Sequence, residues 1–575
     1  MNKGTASMLD LRAYRLGFAP ALAALVVLAF SVRGVPEPLE PAVGTIEFDA
    51  AGAEDATRAV LRAAPDRAPG SEGSVAAAGV VRRGFEEIAS GSVAEQRFEA
   101  SVDGEDVELR NVLLTLPGAS DRAIAVIAGR NSRDGAGAAS SAAATGVLLE
   151  LAVELGVSGR ERTLILGSID GAGAEAEGAR ELFEALPDRT VVDAALVVSQ
   201  PGSAHPSEPH LVTSSADQKR PSLRLIRTAE AALAARAQAG AGLDGALGQI
   251  ARLAFPAAAG VQAALLAEGI DSLAVSSAGE VPLAGDEAGE DVLAAESLER
   301  FGATALALVG ALDTGLEQAG DEPTAYVRLG DNTIPGWALG MLALSLLVPP
   351  AIPVALELAR ARRRDGAARR ALGWAFEWAL VGLAPLIGLF GLAVVGLIPA
   401  PEVPYDPGRF EVGPAEVIAL LVLGGLAVAA WWALGLRRAP SLQAATLGAA
   451  AGAICIVTCA VAWLANPFLA LTMVPLAHVA MVHGAGGRRP ATLAVPVALV
   501  ALLPMVAAIL HVAGALDWGS ATPWQLVVLV AGGGLGVVGA AAVAVALASV
   551  LAVVRASWGQ APQARSPQAR SRGRP

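Results

Sequence analysis

Long apolar runs constrain the fold of this chain most, because a helix needs about 20 consecutive apolar residues to cross the hydrocarbon core of a bilayer. One such run covers residues 16–32, and apolar runs dominate again over 336–554. The first run lacks a clear Ala-x-Ala cleavage site and is followed directly by Arg33, which favours an uncleaved anchor over a cleaved signal peptide. The sequence therefore predicts one early transmembrane helix and seven late ones, near residues 336–358, 372–398, 414–436, 442–465, 468–484, 491–513 and 524–554.

The basic residues around these runs predict the orientation of the protein, because short cytosolic loops carry the excess of Lys and Arg. The opposite short loops hold only Arg409. Both termini are therefore expected in the cytosol, and the polar middle of a multi-pass plasma-membrane protein is expected outside it. The flanks on the cytosolic side hold eighteen basic residues: Lys3, Arg12, Arg15, Arg360, Arg362, Arg363, Arg364, Arg369, Arg370, Arg437, Arg438, Arg488, Arg489, Arg555, Arg565, Arg570, Arg572 and Arg574.

The charge balance bears on possible partners. The whole chain carries a net charge of −13, so the part outside these basic flanks is strongly acidic. An acidic surface repels a phosphate backbone, and nucleic acid is not expected as a partner. The basic loops are instead expected next to anionic membrane lipid. Both cysteines, Cys455 and Cys459, fall in one predicted span, so the outer domain must be held by its core without a disulfide.

The polar middle alternates between helical and strand patterns. Strands are predicted at 107–116, 123–128, 162–170, 191–199 and 272–276. Helices are predicted at 53–64, 74–88, 142–155, 174–186, 222–237, 261–268 and 294–312. Strands that are apolar on both faces and separated by helices are typical of a mostly parallel sheet covered on both sides. The predicted fold class is therefore an α/β domain with a mixed, mostly parallel sheet flanked by helices, plus an all-α multi-span transmembrane bundle.

These patterns divide the chain into six parts. They are a cytosolic N-terminus (1–15), a transmembrane anchor (16–33), a Pro-rich linker (34–51), an extracytoplasmic α/β domain (52–325), a seven-span transmembrane domain (336–554) and a disordered basic cytosolic tail (555–575). In an open sheet of this kind the ligand crevice forms beyond the carboxyl ends of the strands.

Four segments of the α/β domain resemble the di-zinc aminopeptidase family, whose relatives include glutaminyl cyclases and glutamate carboxypeptidases. They are RAPGSEGS (67–74), NVLLTLPG (111–118), IAVIAGRNSRDGAGAASSAAATG (124–146) and SIDGAGAEAEGARELFEAL (168–186). The resemblance covers about residues 52–313. It implies a peptidase-like fold with a metal centre of two zinc ions, bound by imidazoles and carboxylates, and a Glu as general base.

The positions that match the family's metal-site residues hold different side chains here. The positions of the first histidine, the following aspartate and the bridging aspartate are Gly129, Asn131 and Ala142. The Glu pair of general base and ligand falls at Ala172 and Gly173, and the next aspartate falls at Ser199. Asp170 keeps the family's Asp-Gly step, and its expected role is to cap or turn the chain into the next helix. We call these seven positions the vestigial cleft, and the resemblance implies a pseudoenzyme without catalytic residues, metal or cofactor.

The order of parts is also similar to that of the GPI-anchor attachment subunit of the eukaryotic transamidase, a non-catalytic, substrate-engaging member of a membrane complex. That layout implies binding of a peptide, a lipid-linked substrate or a partner, with membrane lipid and other membrane protein subunits as partners.

Two alternatives remain open from the sequence. His205 and His210, with Glu208 between them, could be relocated ligands of a membrane-anchored zinc-dependent aminopeptidase, although an exposed loop also explains them. Glu377 lies within an apolar run, and an intramembrane carboxylate suggests a transporter-like bundle with an accessory domain. Pairing or snorkelling toward the arginines at 369–370 explains Glu377 equally well.

Overall fold

The structure is a computed structural model, and it describes residues 11–40, 47–102, 105–132, 138–157, 159–171, 176–201, 208–281, 295–315, 322–364, 366–435, 441–484 and 494–558. The elements before the bundle are α1 (Leu11–Leu16), α2 (Ala19–Ser31), β1 (Arg33–Gly34), α3 (Ala50–Ala63), α4 (Glu72–Glu86), β2 (Ser92–Val102), β3 (Glu105–Leu116), β4 (Ala123–Gly129), α5 (Ala138–Gly156), β5 (Thr163–Ile169), α6 (Glu177–Glu184), β6 (Val192–Ser199), β7 (His210–Val212), α7 (Leu223–Arg236), α8 (Ala246–Ala254), α9 (Val261–Ala267), β8 (Ser272–Ser276), α10 (Ala295–Gly315), β9 (Tyr326–Leu329) and β10 (Asn332–Pro335). The bundle comprises α11 (Gly336–Ser345), α12 (Val348–Arg362), α13 (Ala367–Val394), α14 (Pro414–Gly435), α15 (Ala444–Ala465), α16 (Pro467–Gly484), α17 (Ala494–Ala515), α18 (Thr522–Ala531) and α19 (Gly536–Trp558).

The α/β domain is built on a seven-stranded mixed sheet in the order β2-β3-β5-β4-β6-β8-β7. The central strands β5, β4, β6 and β8 are parallel, while β2, β3 and β7 add to the edges in antiparallel fashion. This arrangement confirms the predicted fold class of a mixed, mostly parallel sheet flanked by helices.

Alternating strand residues bury two separate cores, one on each face of the sheet. On β5, Leu164 and Leu166 contact the core formed with α5, α7 and α10. Ile165 and Ile169 contact the core formed with α6 and α9 on the other face. Because every central strand is buried on both faces, the strands read as continuous apolar runs, and that is why the sequence pattern located them.

The elements that the sequence prediction missed are short or amphipathic. Strand β2 alternates between exposed and partly buried residues because it lies at the sheet edge, where it pairs with β3 over its full length. Strand β7 has only three residues, and α8 is a nine-residue helix. Three of the predicted helices begin at side-chain caps, since Asp49, Ser71 and Ser222 accept hydrogen bonds from Ala51 N, Ser74 N and Leu225 N.

Eight helices in the described residues are long and apolar enough to cross a membrane. One of them, Ala139–Gly156, is instead a core helix of the α/β domain. The other seven, with the shorter apolar helix Pro467–Met481, correspond in position to the eight predicted spans.

Two predicted spans differ from the single helices expected. The first late span is divided between α11 and α12 just before Pro349, where the proline ring cannot continue a helix ladder. The last span is divided between α18 and α19 at a glycine-rich turn. Gly533 and Gly536 have φ angles of +84° and +62° there, and a Cβ on Gly532 would overlap the carbonyl oxygen of Pro401.

The α/β domain and the bundle share a continuous apolar core. Leu253 and Phe255, at the end of α8, belong to the same buried cluster as the bundle helices. The buried Asn466 joins the two parts, because its Nδ2 donates to Leu253 O at 2.9 Å. Its Oδ1 accepts from the backbone N–H groups of Phe468 and Leu469, at 2.9 and 3.0 Å, at the start of α16. The α8 region therefore connects the domain to the bundle through both apolar and hydrogen-bonded contacts.

Candidate functional site

The carboxyl edge of the parallel strands is the candidate site, as the sequence predicts for this class of sheet. Strands β4 and β5 are parallel neighbours whose last residues, Gly129 and Ile169, are paired in register. The next residues, Arg130 and Asp170, are therefore brought side by side although they are forty positions apart. Their side chains form an ion pair with 3.0 Å between Nη2 and Oδ2, and they are 0% and 1% exposed.

Both carboxylate oxygens of Asp170 are occupied by donors. Besides the Arg130 guanidinium, Oδ2 accepts from Ser74 Oγ at 2.8 Å and from the backbone N–H of Arg110 at 3.3 Å. Oδ1 accepts from Asn131 Nδ2 at 2.7 Å and from the backbone N–H of the next residue in the chain at 3.1 Å. A carboxylate with five such donors among the described residues has its lone pairs committed within the protein.

The Arg130 guanidinium, like the Asp170 carboxylate, forms hydrogen bonds within the protein at every one of its nitrogen atoms. Its Nη1 donates to Ser168 O at 3.0 Å and its Nε to Ser74 O at 3.4 Å, while Nη2 also donates to Arg110 O. Burial lowers the pKa of Arg130, and the charge of Asp170 acts in the opposite direction. Because a lone buried charge is costly, each member of this pair needs the other.

A second buried arginine extends this group. Arg67 is fully buried and donates through Nε to Arg130 O at 2.7 Å, through Nη1 to Ala64 O at 2.6 Å and through Nη2 to Ser141 Oγ at 2.7 Å. Burial lowers the pKa of Arg67 to about 10, a value that still leaves it cationic at neutral pH. We call Arg67, Arg130 and Asp170, with the bonded side chains of Ser74 and Asn131, the buried arginine–aspartate cluster.

The helix that follows Asp170 packs tightly against this cluster. Asn111 accepts from Asp170 N at 3.1 Å and donates to Gly178 O at 2.8 Å. A Cβ at Gly178 would overlap the carbonyl oxygen of Asp170 and lie 2.9 Å from Asn111 Oδ1. Helix α6 is preceded by Ala176 at its N-cap position. Of the two roles expected for Asp170, capping the helix or turning the chain into it, the structure therefore excludes the first.

The other described positions of the vestigial cleft lie on three different elements. Gly129 ends β4, and Ser199 ends β6, where it pairs with Ser276 of β8. Ala142 is buried in an apolar cluster with Val60 and Leu61 on α3. Ala172, Gly173 and His205 lie outside the described residues.

The described side chains at the cleft positions do not fit a divalent metal centre. Asp170 is the acidic residue among the cleft positions, and its oxygens are bound by donors that include a guanidinium. Gly129 and Ala142 offer no ligand atom in their side chains. Within the described ranges, no group of three His, Cys, Asp or Glu residues is arranged to hold a metal ion. A zinc site needs such convergent ligands.

A cavity of about 180 Å³ lies further along the same edge of the sheet, where β7 and β8 approach α8 and α17. We call it the junction cavity, and its lining includes His210, Lys219, Asp244, Arg252, Glu280 and Ala515. His210 begins β7 and is partly buried, and burial lowers the pKa of its imidazole, opposed by a hydrogen bond to the Glu208 backbone. The imidazole is therefore neutral at pH 7 and lies in a polar cavity.

Glu377 lies on α13 beside Trp374 and Trp378 and is partly exposed. Among the described residues of the bundle, the fully buried carboxylate is that of Glu357 on α12, which accepts from Thr446 Oγ1 at 3.1 Å. Glu357 also lies 3.7 Å from the guanidinium groups of Arg360 and Arg364. The sequence analysis missed it because it lies at the end of a predicted span, next to the basic residues that mark orientation.

Arg67 and Arg130 are the other residues that sequence reasoning missed. The available signal was the position of Arg130, a charged residue directly after a strand that is apolar on both faces. Such a residue must either turn to solvent or find a buried counter-charge.

No protein-family model matches the chain, and no curated protein matches it. Similar solved structures include a glutaminyl cyclase from an Acidobacteriales bacterium, with 19% identity, a TM-score of 0.38 and coverage of 48% of this chain and 98% of that chain. BSAP, a zinc aminopeptidase from Bacillus subtilis, is 11% identical with a TM-score of 0.39, covering 48% and 99% of the two chains. A glutaminyl cyclase from Porphyromonas gingivalis is 15% identical with a TM-score of 0.34, covering 47% and 99%. At sequence identities this low, the similarity is one of fold alone.

Proposed function

We propose that this chain is an integral membrane protein whose peptidase-like α/β domain lies outside the cytoplasm and binds its ligand without catalysing a reaction. One observation carries the proposal. Asp170 is the acidic residue at the cleft positions, and it is buried with donors on both oxygens. A carboxylate held in this way can neither receive a proton from a substrate nor bind a metal ion without breaking the buried cluster.

The proposed partners are membrane lipid and other membrane protein subunits, as in the GPI-anchor attachment subunit whose layout this chain resembles. Large apolar side chains on the bundle surface support this part of the proposal. Trp431 and Trp432 on α14 are 52% and 63% exposed. Exposed aromatic and apolar surface of this kind is stable only against lipid tails or another protein.

The hydrolase alternative is tested on the full-length protein in detergent. Zinc per chain is measured by elemental analysis, and turnover is measured on aminoacyl amides and on N-terminal glutaminyl peptides, with and without a chelator. We expect zinc well below one ion per chain and no chelator-sensitive turnover. Stoichiometric zinc that is lost in the variant His205→Ala/His210→Ala would overturn the proposal.

The partner proposal is tested by native mass spectrometry after extraction in a mild detergent. We expect copurifying lipid or protein subunits at defined stoichiometry. A chain that is recovered alone, and that keeps its melting temperature after complete delipidation, would contradict this part.

A further inference from the structure

Strand β2 forms one edge of the seven-stranded sheet, and β7 forms the other. The two edges differ in length, because β7 has three residues and β2 has eleven. In the described part of the chain, β2 has a strand partner on one side only, where it pairs with β3 in continuous register from Ser92 to Val102. The backbone N–H and C=O groups along its other side are positioned to bond a further strand.

The sequence of β2 lacks the features that usually protect an edge of this length. Proteins blunt long edge strands with proline, lysine or a β-bulge. Strand β2 contains neither Pro nor Lys, and its register with β3 has no shift. Its charged residues, Glu95, Arg97 and Glu99, alternate in sign along one face of the strand. Such a row of charges favours a neighbouring strand with the complementary order of charges.

Two of these charges lie opposite like charges on β3, where Arg97 pairs in register with Arg110 and Glu99 with Glu108. Like charges directly opposite each other destabilise a strand pair. Arg97 Nε and Arg110 Nη1 lie 2.8 and 3.3 Å from Glu95 Oε1, and this shared carboxylate offsets their repulsion. Glu108 pairs with Arg110 at 2.9 Å, whereas Glu99 is exposed and has no ion-pair partner among the described residues. Glu99 is therefore the charge of this strand that lacks a counter-charge.

A second copy of β2 provides that counter-charge. When two β2 strands run antiparallel with their Phe98 residues opposite each other, residues equally far before and after Phe98 face one another. Arg97 of each copy then lies opposite Glu99 of the other, on the same face of the joined sheet, with Cβ atoms about 5 Å apart. The twofold symmetry forms this pair of opposite charges twice.

The two preceding registers of the same antiparallel pair do not provide it. Centring the pair on Arg97 places Glu95 opposite Glu99, which are like charges. Centring it one residue earlier places Glu99 opposite Val93 and leaves the carboxylate without a counter-charge. The order of charges in β2 therefore favours the register that is centred on Phe98.

The position of the bundle is compatible with two copies side by side. An antiparallel pair of identical strands has its twofold axis perpendicular to the sheet, and two copies in one membrane need that axis along the membrane normal. The sheet face that carries α6 approaches the bundle, because Arg180 Nη1 of α6 lies 3.4 Å from Glu402 Oε2 in the loop between α13 and α14. The β2 edge is at the opposite end of the strand order from β7 and β8, beside which α8 joins the bundle.

We propose that β2 is the contact strand of a symmetric dimer of this chain, in which the two seven-stranded sheets join into one. The interface is isologous, so each copy contributes the same strand and the same two charges. The dimer does not depend on what the α/β domain binds or on whether the domain catalyses a reaction.

The first test reverses the two charges separately, in two differently tagged copies that are expressed in the same membrane. We expect the original chain to capture its own tagged copy after solubilisation in a mild detergent. Glu99→Arg and Arg97→Glu, each expressed with itself, place like charges opposite each other at both symmetry-related positions. We expect capture to decrease at least ~10-fold in each case. A Glu99→Arg copy expressed with an Arg97→Glu copy restores both pairs of opposite charges, and capture returns.

The two variants keep the β2–β3 hairpin favourable. Arg97→Glu places a carboxylate opposite Arg110, and Glu99→Arg places a guanidinium opposite Glu108, so each removes a pair of like charges from the hairpin. Asp55→Arg, at a side chain 84% exposed on α3, is the matched control for the change in net charge and leaves capture unchanged. Capture that responds to neither charge reversal, as pairing through the bundle would give, overturns the inference. A mixture of the two variants that does not pair overturns it as well.

The second test is disulfide cross-linking in intact membranes. Directly opposite residues of an antiparallel pair have Cα atoms about 4.5–5.5 Å apart, which a disulfide can span. We expect oxidation of Phe98→Cys to link two chains, since the chain's own Cys455 and Cys459 are buried. Ala94→Cys, exposed on the same face of β2, is the control, because its two copies lie about 26 Å apart in the proposed register. Equal linkage in both variants, or in neither, overturns the proposed pairing.

Native mass spectrometry and elemental analysis of the original chain separate this inference from the proposed function. Chains that are recovered singly, or with other subunits but never as two copies, overturn the dimer and leave the non-catalytic binding function standing. Stoichiometric zinc overturns the binding function and leaves the dimer standing.

Discussion

Replacing Asp170 with Asn tests whether the buried arginine–aspartate cluster is a structural unit of the fold. Asn preserves the volume of the side chain but removes its charge. The Arg130 guanidinium, 0% exposed, then remains in the interior without its counter-charge. Because Asn also presents an NH₂ group where the carboxylate accepted hydrogen bonds, some of the donors around it lose their partner.

The expected loss is large for a single substitution. Removing one partner of a buried ion pair costs about 3–5 kcal/mol. For a domain of this size each kcal/mol lowers the melting temperature by about 2–4 °C, so a decrease of roughly 6–20 °C is expected. The double variant Asp170→Asn/Arg130→Met removes both charges and is expected to be more stable than Asp170→Asn alone.

The assay must report on the α/β domain rather than on the bundle. All nine tryptophans lie at or beyond residue 337, so their fluorescence reports the bundle and serves as an internal control. Hydrogen exchange of the β4 and β5 amides, followed as a function of temperature on the full-length protein, reports the domain. Unchanged exchange and melting in Asp170→Asn would refute the structural role that we assign to the cluster. A catalytic carboxylate would show that result together with a loss of turnover.

Three further perturbations address the packing around the cluster, the acid dependence of the domain and the bundle. Gly178→Ala destabilises the domain by about 1–3 kcal/mol because its Cβ overlaps a backbone carbonyl. Gly79→Ala on α4 is neutral or stabilising, because its Cβ meets only Arg83 Nη1, at an ordinary contact distance of 3.7 Å. Equal melting temperatures of the two variants would contradict this expectation. Burial, with repulsion from nearby carboxylates, raises the pKa of Glu150 to about 7, above its unfolded value of 4.5. The folded state therefore keeps a proton that the unfolded chain loses, and this stabilisation is complete below about pH 4.5 and lost as the pH rises through about 7. Glu150→Gln should therefore raise the free energy of unfolding by about 1 kcal/mol at pH 8, with little gain at pH 4.5. Hydrogen exchange of the original and the substituted protein at the two pH values measures this difference. In the bundle, Glu357→Gln should lower the melting temperature measured by tryptophan fluorescence more than Glu377→Gln does. The reason is that Glu357 is fully buried and Glu377 is partly exposed. The reverse order would contradict the structural role that we assign to Glu357.

The sequence predicted some features of the candidate site and missed others. The sequence located the carboxyl strand ends correctly, because apolar strands and their flanking loops are local patterns. It also predicted which residues stand at the cleft positions. The sequence analysis did not identify what Asp170 contacts, since its partners Arg130, Ser74 and Arg110 come from other strands and helices. The expectation that Asp170 caps a helix was local reasoning applied to a side chain whose bonds are mostly long-range.

The junction cavity could not be predicted at all from local patterns. The sequence left His210 either as a relocated metal ligand or as part of an exposed loop, whereas the structure places it at the start of β7, where it lines a polar cavity. That cavity depends on α8, a helix that the sequence analysis missed, packing against α17. Contacts between elements more than 200 residues apart leave no periodic signal in either element.

The sequence by itself determined the class of fold, the succession of most helices and strands, and the apolar helices able to span a membrane. It could do so because periodicity and the length of apolar runs are properties of neighbouring residues. Only the tertiary structure decided that the buried Arg130 pairs with Asp170, that Glu357 is fully buried in the bundle, and that domain and bundle share a core. Those outcomes depend on which surfaces meet, and burial makes each charge require a partner that the chain supplies from a distant element.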